Sequence, residues 1–125
     1  MDSEADQNRD LRTRTKDFAL IVVRLYSSLP GGPVAQVLGR QVLRSGTSVG
    51  AHYREASRAR SVAEFISKIE AGLQELEESM YWLELLDEAN VGNKERLHHA
   101  NQEADTIAAM MTASVRTAKK RRRNE

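Results

Sequence analysis

Apolar residues recur along the first segment at Leu11, Phe18, Val22, Leu25 and Leu29, with Thr15 filling one slot. This alternation of three and four residues marks one face of a helix. Pro30-Gly31-Gly32-Pro33 ends it, since glycine permits a tight turn and Pro33 suits the first position of a following helix. A second segment, about Val34 to Ala56, keeps Leu38, Val42, Val49, Tyr53 and Ala56 on one side. No glycine or proline separates it from the next, but Ser61-Val62-Ala63-Glu64 reads as a capping box and the apolar phase slips there, so a turn is predicted near Ser57 to Arg60. From Val62 the seam is regular: Val62, Ile66, Ile69, Leu73, Leu76, Met80 and Leu83, the heptad spacing of knobs-into-holes packing. Phe65, Trp82 and Leu86 widen that stripe. Asn90-Val91-Gly92-Asn93 closes the segment, with Asn93 as the next N-cap. A fourth segment from Lys94 turns Leu97, Ala100, Ala104, Ile107, Met111 and Val115 inward, and its small residues allow close helix approach. No strand pattern occurs. The expected fold is all-α, an antiparallel up-down-up-down four-helix bundle over residues 11–118. A disordered acidic N-terminus (1–10) precedes it, and a basic tail (119–125) follows that either extends the last helix or frays.

One run interrupts the apolar pattern. Gln41, Arg44, Ser48, His52 and Glu55 fall at spacings of three and four, so on the second helix they form a polar stripe. Such a stripe faces water, a partner subunit or a ligand. As a hydrogen-bond network between helices or subunits it would fix register, with Arg44 and Glu55 pairing across or within the interface. A solvated face and a nucleic-acid contact surface are the other readings. An active site finds little support, because no nucleophile–base–orienter set is legible. Tyr81 and Trp82 point to different sides of the third helix, and with Leu83 inward one of them packs at a subunit interface or at the bundle edge.

Charge changes the picture more by distribution than by total. Nineteen basic and eighteen acidic residues leave +1. Residues 61–90 carry about −7, residues 11–60 about +7 and the last seven about +4. Charge complementarity between helices or protomers is expected, together with a basic tail. Arg54, Arg58, Arg60 and the run Lys119, Lys120, Arg121, Arg122, Arg123 are the candidates for phosphate binding, since each cation that neutralises a phosphate releases a counterion. Solubility, or pairing of Arg58 and Arg60 with the acidic third helix, is the alternative. Aromatic residues for base stacking are scarce, so sequence-specific reading of single strands is poorly supported. The absence of cysteine excludes disulfides and thiolate zinc sites. Glu95-x-x-His98 matches half of a di-metal motif, but the other histidine stands in reverse order, His52-x-x-Glu55, and no metal or other cofactor is expected. The polar N-terminus is unlike a secretory signal, and the apolar run Phe18 to Val23 is far too short to span a bilayer, so a soluble cytoplasmic protein is expected.

Several runs resemble a known family: Gln41-Val42-Leu43-Arg44-Ser45, Thr47-Ser48-Val49-Gly50-Ala51, Glu55-Ala56, Ser57-Arg58-Ala59-Arg60-Ser61, Glu64-Phe65-Ile66 and Tyr81-Trp82-Leu83-Glu84-Leu85-Leu86. Over roughly Thr13 to Met111 the chain resembles the four helix bundle proteins encoded within intervening sequences of bacterial 23S rRNA genes. The resemblance implies an antiparallel bundle assembling as a ring-like homopentamer. A related branch, the accessory variability proteins of diversity-generating retroelements, works with a reverse transcriptase and has a basic surface suited to nucleic acid. This chain departs from the family where asparagine followed by Ile-Ala is common: it has His52-Tyr53-Arg54, which puts a titratable ring in the polar stripe. The expected function is that of a non-enzymatic homo-oligomer, pentameric on the resemblance, binding RNA or DNA backbone through repeated basic clusters. Gln41, Arg44, Ser48, His52, Glu55, Tyr81 and Trp82 would then form the oligomer interface. The alternative is a protein-interaction adaptor, for example to a reverse transcriptase.

Overall fold

A computed structural model describes the backbone of residues 4–124 and the side chains of residues 10–124. Four helices follow one another: α1 (Glu4–Ser28), α2 (Pro33–Ser57), α3 (Val62–Glu88) and α4 (Lys94–Arg123), with no strand among the described residues. Their ends follow local chemistry. Gly32, at φ +117°, delivers the chain to Pro33, whose ring presets the first helical turn of α2. Ser61 caps α3 by accepting from the Glu64 N–H at 3.0 Å, and the Glu64 carboxylate reaches back to the N–H of Arg60 at 3.1 Å, one residue further out than a standard capping box. The far end of α3 closes in a Schellman motif. Asn90 takes the left-handed conformation (φ 59°), the Val91 N–H reaches Leu86 O at 2.9 Å, and the Asn90 N–H reaches Asp87 O at 3.1 Å. Asn93 then caps α4 through the Arg96 N–H at 3.0 Å.

One boundary differs from expectation. Helix α1 begins at Glu4, inside the stretch expected to be disordered; residues 1–3 lie outside the described residues. No glycine or proline interrupts residues 4–10, so nothing in this stretch breaks the helix. At the other end the basic run does not fray. It stays helical through Arg123, where cations in the last turn complement the negative end of the dipole, and Asn124 caps it.

Packing joins α1 to α2, α2 to α3, α3 to α4 and α4 back to α1, so each helix has two neighbours around one core. Positions rising along α2 meet positions falling along α1: Gly39 lies against Tyr26 and Leu29, Gly46 against Val22, Gly50 against Thr15. The same opposition relates α2 to α3, where Arg44 meets Glu78 and Glu55 meets Lys68. Fully buried Leu11, Phe18, Val22, Val49, Tyr53, Ile69, Leu76, Leu86, Ile107 and Met111 fill the centre. Thr15 belongs to the core despite its hydroxyl, which donates to Leu11 O at 2.7 Å within its own helix.

The seam of α3 is rotated from the heptad register. Its buried line is Ile66, Ile69, Gly72, Leu76, Ser79, Leu83 and Leu86, while Leu73 and Met80 are half-buried on the flank. Gly72 and Ser79 are inward because α2 comes close there: Ser45 Oγ and Ser79 Oγ are 2.7 Å apart in a fully buried hydroxyl pair. Each serine also contacts the carbonyl one turn back on its own helix, at 2.8 and 2.9 Å, so neither hydroxyl is left without a partner.

Candidate functional site

The end of α2, the start of α3 and the end of α4 meet at one end of the molecule. There Ser57, Ala59, Arg60, Ser61, Val62 and Phe65 share a groove of about 450 Å³ with Arg121. A second groove of about 530 Å³, between α3 and α4, is lined by Ser67, Glu70, Gln74, Lys119 and Arg122 among others. Five consecutive basic residues on a helix fan through all directions at about 100° each, so Lys119 to Arg123 surround the α4 terminus with charge rather than forming one face.

Arg54, Arg58 and Arg60 are exposed, and among the described residues no carboxylate pairs with their guanidinium groups. The expected alternative, in which α3 acids neutralise Arg58 and Arg60, does not form: Glu64 takes only the backbone N–H of Arg60. Lys119 lies 3.8 Å from Glu70. Arg12 of α1 adds to the same end. Its charge acts on Tyr53, whose phenol is pushed up by burial, against a hydrogen bond to Ser57 and the pull of Arg12. Arg12 carries no signal of this in sequence, because only the packing of α1 against α2 brings it there.

The polar stripe runs along the seam between α2 and α3. Arg44 donates from Nε to Gln41 Oε1 at 3.3 Å and forks onto two carboxylates of α3, Glu75 at 3.1 Å and Glu78 at 2.6 Å. Glu78 also accepts from Trp82 Nε1 at 3.3 Å. The hydrogen bond from Arg44 holds the Glu78 carboxyl below its ordinary range, and Glu78 holds the guanidinium proton more tightly in return. Ser48 turns back to donate to Arg44 O at 2.7 Å. Glu55 accepts from Lys68 Nζ at 2.8 Å, which lowers its pKa, and lies 3.5 Å from His52 Nδ1. That nitrogen is buried and has no hydrogen-bond partner among the described residues. The pairing expected of Arg44 with Glu55 does not form within the chain, since eleven residues separate them by about 16 Å along the axis while α3 acids stand directly opposite.

Tyr81 is exposed and Trp82 half-buried, their rings edge to face at 5.1 Å. Val34 and Val37, seven residues before Gln41 and Arg44 respectively, extend the stripe's helical spacing and are 53% and 62% exposed. The face that begins polar at Glu55 therefore ends apolar near the start of α2. At this same end of the molecule, opposite the basic run, His98 and His99 are exposed, with His98 Nε2 3.5 Å from Asp87 Oδ1. Among the described residues no group of three or more histidine or acidic side chains is gathered as a metal site, and no helix is long and apolar enough to cross a membrane.

A comparison with curated proteins found no match. Among solved structures, a protein of unknown function in the S23 ribosomal protein family, from Bacteroides thetaiotaomicron VPI-5482, is 33% identical to this chain. The similarity covers 88% of this chain and 98% of that one, with a TM-score of 0.79. It extends across all four helices, and the family model described as 23S rRNA-intervening sequence protein matches residues 7–113. With its four-helix all-α fold, capped as its sequence dictates, the chain belongs to the 23S rRNA-intervening sequence protein family.

Proposed function

We propose that this protein is a non-enzymatic, antiparallel four-helix bundle that assembles as a ring-like homopentamer in the cytoplasm and binds the backbone of RNA or DNA through its basic end. The observation that carries this reading is the convergence of Arg54, Arg58 and Arg60, whose guanidinium groups no described carboxylate neutralises, with the helical run Lys119 to Arg123. The name of the family, which places its members within 23S rRNA sequences, adds support for RNA. Opposed contacts between neighbouring helices favour the antiparallel arrangement, and the outer α2–α3 face with Val34, Val37, Tyr81 and Trp82 offers a surface for subunit contact. In a ring, one basic cluster per protomer becomes several, and weak contacts gain avidity.

The test is fluorescence anisotropy with a structured RNA and a duplex DNA at two salt concentrations. Full chain, a form truncated after Ala118, and Arg58→Gln/Arg60→Gln would be compared. Binding should fall steeply with salt and show little sequence preference, and each lost phosphate contact should reduce the salt slope by about 1. Because Arg60 and Arg121 line the same groove, truncation and the double substitution should each weaken binding. No binding of either nucleic acid at low salt would sink this reading and leave a protein-interaction adaptor, for example to a reverse transcriptase, as the working answer.

A further inference from the structure

About 37 Å from the basic end along α4, a second positively charged cleft opens between α1 and α4. Its volume is about 170 Å³ and its lining is Ile21, Arg24, Arg96 and His99. The placement of Arg96, in the first turn of α4, runs against helix electrostatics. Basic side chains are unfavourable in the first turns of a helix, where the dipole is already positive. Helix α4 nevertheless opens Lys94-Glu95-Arg96-Leu97-His98-His99. Two of these groups are answered: Asp87 lies 2.9 Å from Lys94 Nζ and 3.5 Å from His98 Nε2. Arg96, His99 and the Arg24 that α1 brings beside them are not, and among the described residues no carboxylate pairs with any of the three. Glu103, one turn beyond His99, is turned to Arg14 at 4.0 Å.

Two guanidinium groups and an imidazole from two helices thus surround a half-buried isoleucine with no internal counter-charge. A sequence that breaks a local rule without an internal compensation marks a place where something else supplies it. We propose that this cleft binds a phosphate group. Planar guanidinium forks match the oxygens of a phosphate bidentately, and the α4 dipole favours the same charge. The cleft equals the share of about five or six water molecules in the liquid, which suits a phosphate with some of its hydration. The group could be a phosphate of a nucleic acid or a free phosphate. The site stands apart from the basic end and does not depend on the function proposed there.

The test uses the isotopically labelled full chain, with inorganic phosphate added at constant ionic strength. Side-chain Nε–Hε signals of Arg24 and Arg96 should shift saturably while those of Arg116, exposed elsewhere on α4, do not. Arg96→Gln should raise the dissociation constant for phosphate by about ten-fold or more, the loss expected for one charged hydrogen bond. Non-saturating shifts spread over all arginines, or shifts that survive Arg96→Gln, would overturn the proposal. Thermal unfolding separates binding from structure. In phosphate-free buffer Arg96→Gln should melt no lower than the parent, because it removes only repulsion. The rise in melting temperature that phosphate gives the parent should be lost. A variant that melts clearly lower without phosphate would make Arg96 a structural residue and refute the site. Oligonucleotides with a 5′-phosphate and a 5′-hydroxyl then identify the source. A preference for the first assigns an end phosphate, equal shifts assign backbone phosphates, and no shift with either assigns free phosphate.

Discussion

A β-carbon added at Gly46 would stand 2.8 Å from one Val22 methyl and 3.0 Å from the other, with Val22 Cβ itself at 3.2 Å. Valine in a helix has one strongly preferred rotamer, so it cannot swing aside, and α1 and α2 would have to part. At Gly72 the equivalent carbon meets only the terminal methyl of Met111 inside 3.0 Å, the far end of a flexible side chain. The same substitution should therefore have clearly different effects at the two positions. Gly46→Ala is expected to destabilise by about 1–3 kcal/mol through overpacking. Gly72→Ala should stay within about 1 kcal/mol of the parent, because helix propensity gained offsets a small methionine shift. Urea midpoints at constant slope would check this, and equal shifts for the two variants would refute it. Neither glycine was legible as a contact residue. Hydrophobic periodicity scores apolar side chains, and at Gly46, Gly72 and the Ser45–Ser79 pair the closest approaches are made by residues with almost none.

At the scale of the element, helix existence and most boundaries were written in the chain, since Pro33, Ser61 and Asn93 each act through a local backbone effect that needs no tertiary partner. Register was written less clearly. Along α3 the apolar residues Leu73 and Met80 sit beside Gly72 and Ser79, and a one-residue rotation satisfies the heptad equally well until α2 is placed. Once placed, α2 selects the small residues as the inward line. Leu76 is then fully buried while Leu73 lies on the flank. Leu76→Ala should cost about 2–5 kcal/mol, the range for a leucine deleted from a close-packed core. Leu73→Ala should cost less than half as much. Thermal or urea unfolding of the pair would decide between registers, and a loss at Leu73 as large as that at Leu76 would restore the heptad register, whose seam contains both. The N-terminal turns of α1 were read as a tail, and the basic end of α4 as either an extension of the helix or a fray, for a related reason. Composition flags charge, whereas a charge run that complements a helix dipole extends the helix.

At the scale of the whole molecule, individual basic residues were legible but their grouping was not. Arg60 and Arg121 share a groove, and Arg24 and Arg96 a cleft, only because the order of the helices returns α4 between α3 and α1. The same holds for the outer α2–α3 face. The polar stripe was visible by spacing, but its partners Glu75 and Glu78 and its apolar continuation through Val34 and Val37 depend on which helix lies alongside. Within the protomer the charges of that face are largely answered: Arg44 by two glutamates, Glu55 by Lys68. What is left unanswered is apolar, and burying it is worth roughly 25 cal/mol per Å², so a subunit interface here would gain most from the valine end. If the proposed ring closes through this face, Val37→Asp should lower the assembly mass in sedimentation velocity while helical circular dichroism is unchanged. Val23→Asp, on the outer surface of α1 where Val23 is 39% exposed, should leave the mass as it is. The reverse pair of outcomes would move the interface to α1, and the residues along Gln41 to Glu55 would then serve the protomer alone, fixing the register of α2 against α3.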